Sequence, residues 1–294
     1  MLRLLCVLIA GCVAVSNASA QEVLQWKFQN GETLKFNVEQ TMKTNMTMAG
    51  NAVKTSMSQI MDMSWNVKNV AADGRAVVAQ QIDRVQLKMQ GGPFGEGTLF
   101  DSNDNRVPSN PMVKAMSDVF RKLIGQSFQV TMNSTGKVEN VVVPDELLKS
   151  LTQTGAGVNN MLNEDTLQQM MGQSSVELPA SGVTVGQSWE TKQNVQLPVG
   201  NMAVTSRMTY TGKDSQTGLA KIAMKPMVTV EPNKDSPIQL KLTRSDGDGL
   251  ILFDQKTGRI QQSDLTLNLE MQIQQFGQTI TQNIEQSTVM KLVR

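Results

Sequence analysis

The sequence predicts a mainly β, α+β protein in which long, curled antiparallel hairpins form one or two half-barrel-like sheets. Three observations predict it. Long runs alternate apolar and polar residues with period two, glycine turn signals separate those runs, and only two stretches carry helical spacing, near 110–125 and 145–172.

The first twenty residues stand apart from this pattern. Met1-Leu2-Arg3 is a short basic start, Leu4 to Val15 is an apolar run, and Ala18-Ser19-Ala20 fits the small-x-small site of a signal peptidase. An apolar run of about 12 residues is too short to cross a bilayer as a helix, which takes roughly 20. The segment 1–20 therefore reads as a signal peptide cleaved before Gln21, and the protein is expected to be exported, periplasmic or secreted, with no transmembrane segment. Ile9-Ala10-Gly11-Cys12 offers an alternative reading as a lipobox, which would place a lipid on Cys12.

The next element is a hairpin. From Leu34 to Met48 the even positions are mostly apolar, and from Val53 to Val67 the odd ones are, so each strand has one inward face. Gly50-Asn51 suits a two-residue turn with glycine first, which would set Phe36 opposite Trp65 and Val38 opposite Met63. The C-terminus repeats the device. Leu265, Leu267, Leu269, Met271 and Ile273 alternate, Ile280, Ile284 and Met290 return, and a turn at Gly277-Gln278 would pair Met271 with Ile284. Further alternation runs from Ala220 to Val230 and from Ile238 to Leu242. Turn signals fall at Asp73-Gly74, Thr135-Gly136, Thr217-Gly218, Asp246-Gly247 and Thr257-Gly258.

Asn110-Pro111 predicts a helix start, with Asn110 as cap and proline in the first turn. Met112, Val113, Met116, Val119, Phe120, Leu123 and Ile124 form its stripe, and Gly125 ends it. Between Asp145 and Gly172 lie two shorter apolar-striped pieces separated by Gly155 and Gly157. Three segments repeat a Gly-polar-hydroxyl turn before a strand: Gly31 to Leu34, Gly125 to Phe128 and Gly186 to Trp189. The organisation that follows is a signal peptide over 1–20, a first β half over 21–140 with its helix at 111–124, a helical insert or linker over 141–182, and a second β half over 183–294.

Composition excludes much chemistry. The chain has no histidine, and both of its cysteines, Cys6 and Cys12, lie in the signal segment. The nucleophilic, redox and metal chemistry of those side chains is thereby absent from the mature chain, and no disulfide supports it. No phosphate-cradling glycine loop and no Gly-x-Ser-x-Gly elbow is present. The sequence thus reads as non-enzymatic, with no cofactor. Lys plus Arg total 27 against 26 for Asp plus Glu, without basic clusters, so there is no electrostatic footprint for nucleic acid.

The acidic loops read as turns. Asp101-x-Asn103-x-Asn105 begins like a calcium loop, but Arg106 stands where glycine is needed, and Asp246-Gly-Asp248-Gly reads as a hairpin turn. The methionines are the unusual feature, 20 of them beside a single tyrosine. Unbranched, polarizable side chains repack around varied apolar ligands. The inner wall of a ligand cup would then be Phe36, Val38, Met42, Met46, Met57, Met61, Met63 and Trp65. The same residues would form a solid core if the protein is a structural or interaction module of the cell surface. A third reading takes Met46-x-Met48 and Met61-x-Met63-x-Trp65 as thioether ligands for Cu(I).

Two motifs carry a resemblance, Phe28-x-x-Gly31-Glu32-Thr33 and Val185-Gly186-Gln187-Ser188-Trp189. With the signal peptide and the Met/Thr-rich strands, they resemble families of secreted bacterial β-rich proteins of unknown function. In architecture the chain is also similar to envelope lipid carriers of the LolA kind, where a curled antiparallel sheet is closed by helices. The resemblance implies no catalytic residues. The Met-lined hairpin and the helical insert lead to the expected partner, an apolar, lipid-like small molecule or an envelope protein.

Overall fold

The alternating runs fold as strands of one antiparallel sheet. A computed structural model describes residues 21–48, 50–152, 167–168, 171, 175–197, 200–233, 236–275 and 277–293. The signal segment and most of the second helical piece of the insert lie outside the described residues. The strands are β1 (Thr33–Met48), β2 (Asn51–Val70), β3 (Ala76–Gln90), β4 (Thr98–Asp101), β5 (Ser127–Met132), β6 (Val138–Val142), β7 (Ser188–Leu197), β8 (Gly200–Lys213), β9 (Ala220–Pro232), β10 (Ile238–Asp254), β11 (Arg259–Gln275) and β12 (Gln278–Val293). Their order across the sheet is β6-β5-β3-β2-β1-β12-β11-β10-β9-β8-β7, with β4 paired to β3 off this path. The two halves therefore share a single sheet, joined at its centre by β1 and β12.

Both hairpin registers differ from the sequence expectation by two residues. Phe36 lies opposite Met63, Val38 opposite Met61 and Leu34 opposite Trp65. At the C-terminal hairpin Ile284 lies opposite Leu269, and Met271 opposite Gln282. A slip of two leaves every side chain on its expected face, so burial cannot choose between the registers and turn geometry does. In both turns the glycine takes the second central position, with φ of 81° at Gly50 and 75° at Gly277.

A second correction concerns Asp246 to Gly249, expected as a turn. These residues sit inside β10 and pair along β11, with Gly249 also pairing Met224 of β9. Both glycines replace side chains on the inner face, where neighbours crowd in. A Cβ on Gly249 would lie 2.5 Å from Met224 Cε, and one on Gly247 would lie 2.6 Å from Pro226 Cγ. Glycine within a strand marks this kind of close approach. The other four expected turns form as read, each with its glycine at positive φ.

Helix α1 (Pro111–Leu123) starts as its sequence demands, with Asn110 Oδ1 accepting from the backbone N–H groups of Met112 and Val113 at 3.0 and 3.3 Å. Its stripe departs from expectation at one position: Met112, in the first turn, is exposed. Val113, Met116 and Phe120 cover β3 and β4, packing on Ile82, Val85, Leu87 and Phe100. Helix α2 (Asp145–Thr152) buries Leu147 in the main core, and Leu167 and Met171 of the insert are buried there too. Among the described residues no helix is long and apolar enough to cross a membrane.

The main core collects at one end of the sheet, where residues 21–29 run across the strand ends. Glu22 and Val183 exchange two backbone hydrogen bonds, Trp26 N–H donates to Ser134, and Lys27 N–H donates to Gly258. Leu24, Trp26 and Phe28 are thereby buried. Trp26 stacks on Phe28 and Trp65 and meets Phe253 edge-on. This segment forms a floor. Toward the hairpin tips the same inner face of β1, β11 and β12 is only half-buried.

Candidate functional site

Above the floor, on the inner face of the sheet, lies a cavity of about 700 Å³. One wall comes from β1, β2, β11 and β12, and the facing wall from β7, β8 and β9. Strands six and seven places apart across the sheet line one space, so the sheet curls into a cup. The long strands make this possible, since twist accumulates along and across them, and the glycine pair in β10 removes side chains at the bend.

Five of the eight predicted wall residues line the cavity: Phe36, Val38, Met61, Met63 and Trp65. Phe36, Met63 and Trp65 are also core residues, while Val38 and Met61 are half-buried. Met42, Met46 and Met57 share the face but lie nearer the hairpin tip, outside the cavity. The register sets Met42 opposite Met57, and Met57 opposite Met89. Met61 and Met63 instead face the hydrocarbon of Val38 and Phe36. Sequence reasoning missed the far wall, Val204, Met208 and Met224, and the aliphatic pair Leu265 and Leu267. Their alternation was visible, but the curl that turns them toward Met61 was not.

The gap between the two sheet edges is spanned at its base by residues 175–178. Leu178 N–H donates to Thr135 at 2.7 Å, and Ser175 Oγ donates to the carbonyl of Gly136. Two indoles hold the strap from either side, Trp26 Nε1 to Val176 O at 3.1 Å and Trp189 Nε1 to Glu177 O at 3.0 Å. Gly136 must be glycine here, because a Cβ would sit 2.4 Å from Trp26 Nε1.

The lining is apolar at depth, with scattered hydroxyls from Thr191, Ser206, Ser263 and Thr288. Its charged members are Lys137, Glu177 and Lys192, all exposed. The indole N–H of Trp65 is buried without an acceptor among the described residues. Below the floor, Lys213 and Gln255 bond Glu22 and hold its carboxyl below the usual range, while burial pushes the Tyr210 phenol up. Among the described residues no three carboxylates, cysteines or histidines gather as a metal site. Asp101, at the end of β4, is engaged by Arg84 at 2.6 Å and Gln86 at 2.7 Å, and accepts from the Asn103 N–H in a local turn. The arrangement can exclude water, surround a hydrocarbon, and meet single polar atoms with hydroxyls.

The fold has a solved counterpart. A lipovitellin structure concerned with lipid–protein interactions superposes with a TM-score of 0.51 at 12% identity, over 91% of this chain and 26% of that one. The chain thus spans about a quarter of the lipovitellin chain, and at this identity the likeness is one of fold. An outer-membrane channel from Pseudomonas putida F1 aligns over 91% of this chain and 97% of its own at 6% identity, but its TM-score of 0.25 gives that likeness no weight. No curated protein matches the sequence. Residues 73–260 match the model of a family of unknown function, DUF6263, and because that match takes in more than half of the chain, the protein belongs to this family.

Proposed function

We propose that the protein is an exported, non-enzymatic binder of an apolar, lipid-like ligand, which it holds inside the cup. One observation carries the reading: a cavity of about 700 Å³ whose depth is walled by Val38, Met61, Leu265, Leu267, Met208 and Met290. That volume lies within the range of small-molecule sites, roughly 300–1,000 Å³, which are concave and mostly apolar. Methionines on both walls give the lining the adaptability of surfaces that accept more than one ligand. The fold shared with lipovitellin supports the reading, as does the carrier architecture to which the sequence is similar.

Native mass spectrometry of the exported protein, purified without detergent, tests it. Adducts of acyl-chain mass that vanish on organic extraction are expected. A single clean mass, unchanged after incubation with long-chain lipids, would overturn the reading.

A further inference from the structure

We propose that the ligand is a single-chain anionic amphiphile, of the long-chain fatty-acid class, whose head group sits between Lys137 and Lys192. The inference rests on the apolar-ligand reading above and adds the chain number and the head-group charge.

Volume argues the chain number. A cavity of about 700 Å³ has the size of sites that enclose one small-molecule ligand, roughly 300–1,000 Å³. That matches a single long acyl chain with its head.

Charge argues the head group. The walls bring no charge into the depth of the cavity. Its three charged lining residues are exposed at the rim, two ammonium groups against the one carboxylate of Glu177. Among the described residues neither Lys137 nor Lys192 is in an ion pair. Lys137 is held in place by its backbone: its N–H donates to Asn133 Oδ1 and its carbonyl accepts from Asn133 N–H, both at 3.1 Å. The preceding Gly136 is locked against Trp26 and the strap. Lys192 stands on β7 between Thr191 and Gln193, which also line the cavity, and opposite Thr205 of β8. The two lysines thus come from opposite edges of the curled sheet, one from the β5–β6 turn and one from β7. An anion between them would bridge those edges, while its hydrocarbon continues inward past Val138 and Val204 to Met61 and Leu265. A carboxylate is satisfied by such ammonium donors, and a neutral head would gain nothing from their charge.

Isothermal titration with palmitate, hexadecanol and dipalmitoyl phosphatidylcholine vesicles tests the assignment on the full mature chain. Palmitate is expected to bind one per chain and about tenfold tighter than hexadecanol, the equivalent of about 1.4 kcal/mol. Raising the salt concentration should narrow that gap, because the charges are exposed. The Lys137→Gln/Lys192→Gln variant should abolish the preference and Lys137→Arg/Lys192→Arg should keep it, with circular dichroism confirming that both fold. Equal affinity for acid and alcohol, or a preference that survives the glutamine pair, would overturn the head-group assignment and leave the apolar-ligand reading standing. One-to-one uptake of the diacyl lipid would overturn the single-chain assignment. Binding of none of the three would remove both this inference and the reading beneath it.

Discussion

The indole of Trp26 stacks on that of Trp65 with ring centroids 5.9 Å apart, so a residue that precedes the sheet seals the base of its second strand. Trp26 also reaches the strap through Val176 and packs against Phe28 and Phe253. Trp26→Ala should destabilise the protein by about 3–5 kcal/mol, the cost of emptying a large aromatic site. Urea denaturation measures this, and a loss under about 1 kcal/mol would show that residues 21–29 do not close the core.

Arg259 and Glu32 form an ion pair whose side chains are only 10% and 16% exposed. The guanidinium also donates to the carbonyls of Lys27 and Thr257, and Glu32 accepts from the Gln29 N–H at 2.7 Å. Arg259→Met strands a carboxylate in a nearly dry site and should cost about 3–5 kcal/mol. Adding Glu32→Gln should recover much of that loss. A double variant no more stable than the single one would show that the lost arginine bonds to the backbone dominate.

Gly249 leaves no room for a side chain, with Met224 Cε at 2.5 Å and the Asp264 carbonyl at 2.8 Å from where a Cβ would stand. The methionine can swing away, but the backbone cannot. Gly249→Val should therefore destabilise by about 1–3 kcal/mol through overpacking. It should also weaken ligand uptake, because the Met224 side chain that it displaces lines the cavity. Uptake that is unchanged despite the stability loss would separate the bend from the binding space.

The Arg84 guanidinium, with help from Gln86 and the Asn103 N–H, holds the Asp101 carboxyl well below the usual carboxylate range. A lowered folded value means that the unfolded chain binds the proton more readily in acid. Stability from this group is thus full above the ordinary value of about 4 and fades as pH falls toward the depressed one. Asp101→Asn should lower the melting temperature near neutrality, and the difference from the natural protein should shrink in strong acid. A difference constant with pH would assign the effect to packing.

Met61 and Met63 are neighbours on one face with different duties. Met63 is buried in the main core and Met61 is half-buried on the cavity wall. Met63→Ala should cost about 2–5 kcal/mol, and Met61→Ala clearly less while altering ligand affinity. Equal losses would point to a continuous solid core at this level of the cup.

The faces of the sheet were legible in the sequence because period two survives every local uncertainty. The even positions from Leu34 and the odd positions from Val53 do turn inward. Their partners were not legible, since sliding a hairpin by two residues buries the same set and only the turn at Gly50 decides. Asp246-Gly247 misled for a related reason: a glycine that relieves crowding inside a strand carries the same letters as one that turns the chain. The near wall of the cavity, Phe36 to Trp65, followed from local alternation. Val204, Met208 and Met224 did not, because their approach depends on curvature summed over six or seven strands, which no window of sequence contains. Asn110, by contrast, needed only its own neighbours to start a helix, and it does.

The pairing of β1 with β12 has a kinetic meaning. Lys35 partners Val293, so the bonds at the heart of the sheet join residues almost a whole chain apart. Each flank is a meander that can zip from hairpin to hairpin, but the seam between the flanks forms only when the last strand arrives. Contacts of such sequence separation are slow to close. Until then two long strand edges, those of β1 and β11, stand unpaired side by side, the kind of edge on which chains associate. A chain cut short by its final strand would lose its keystone, and aggregation during folding should rise more steeply with that loss than with the removal of an outer strand.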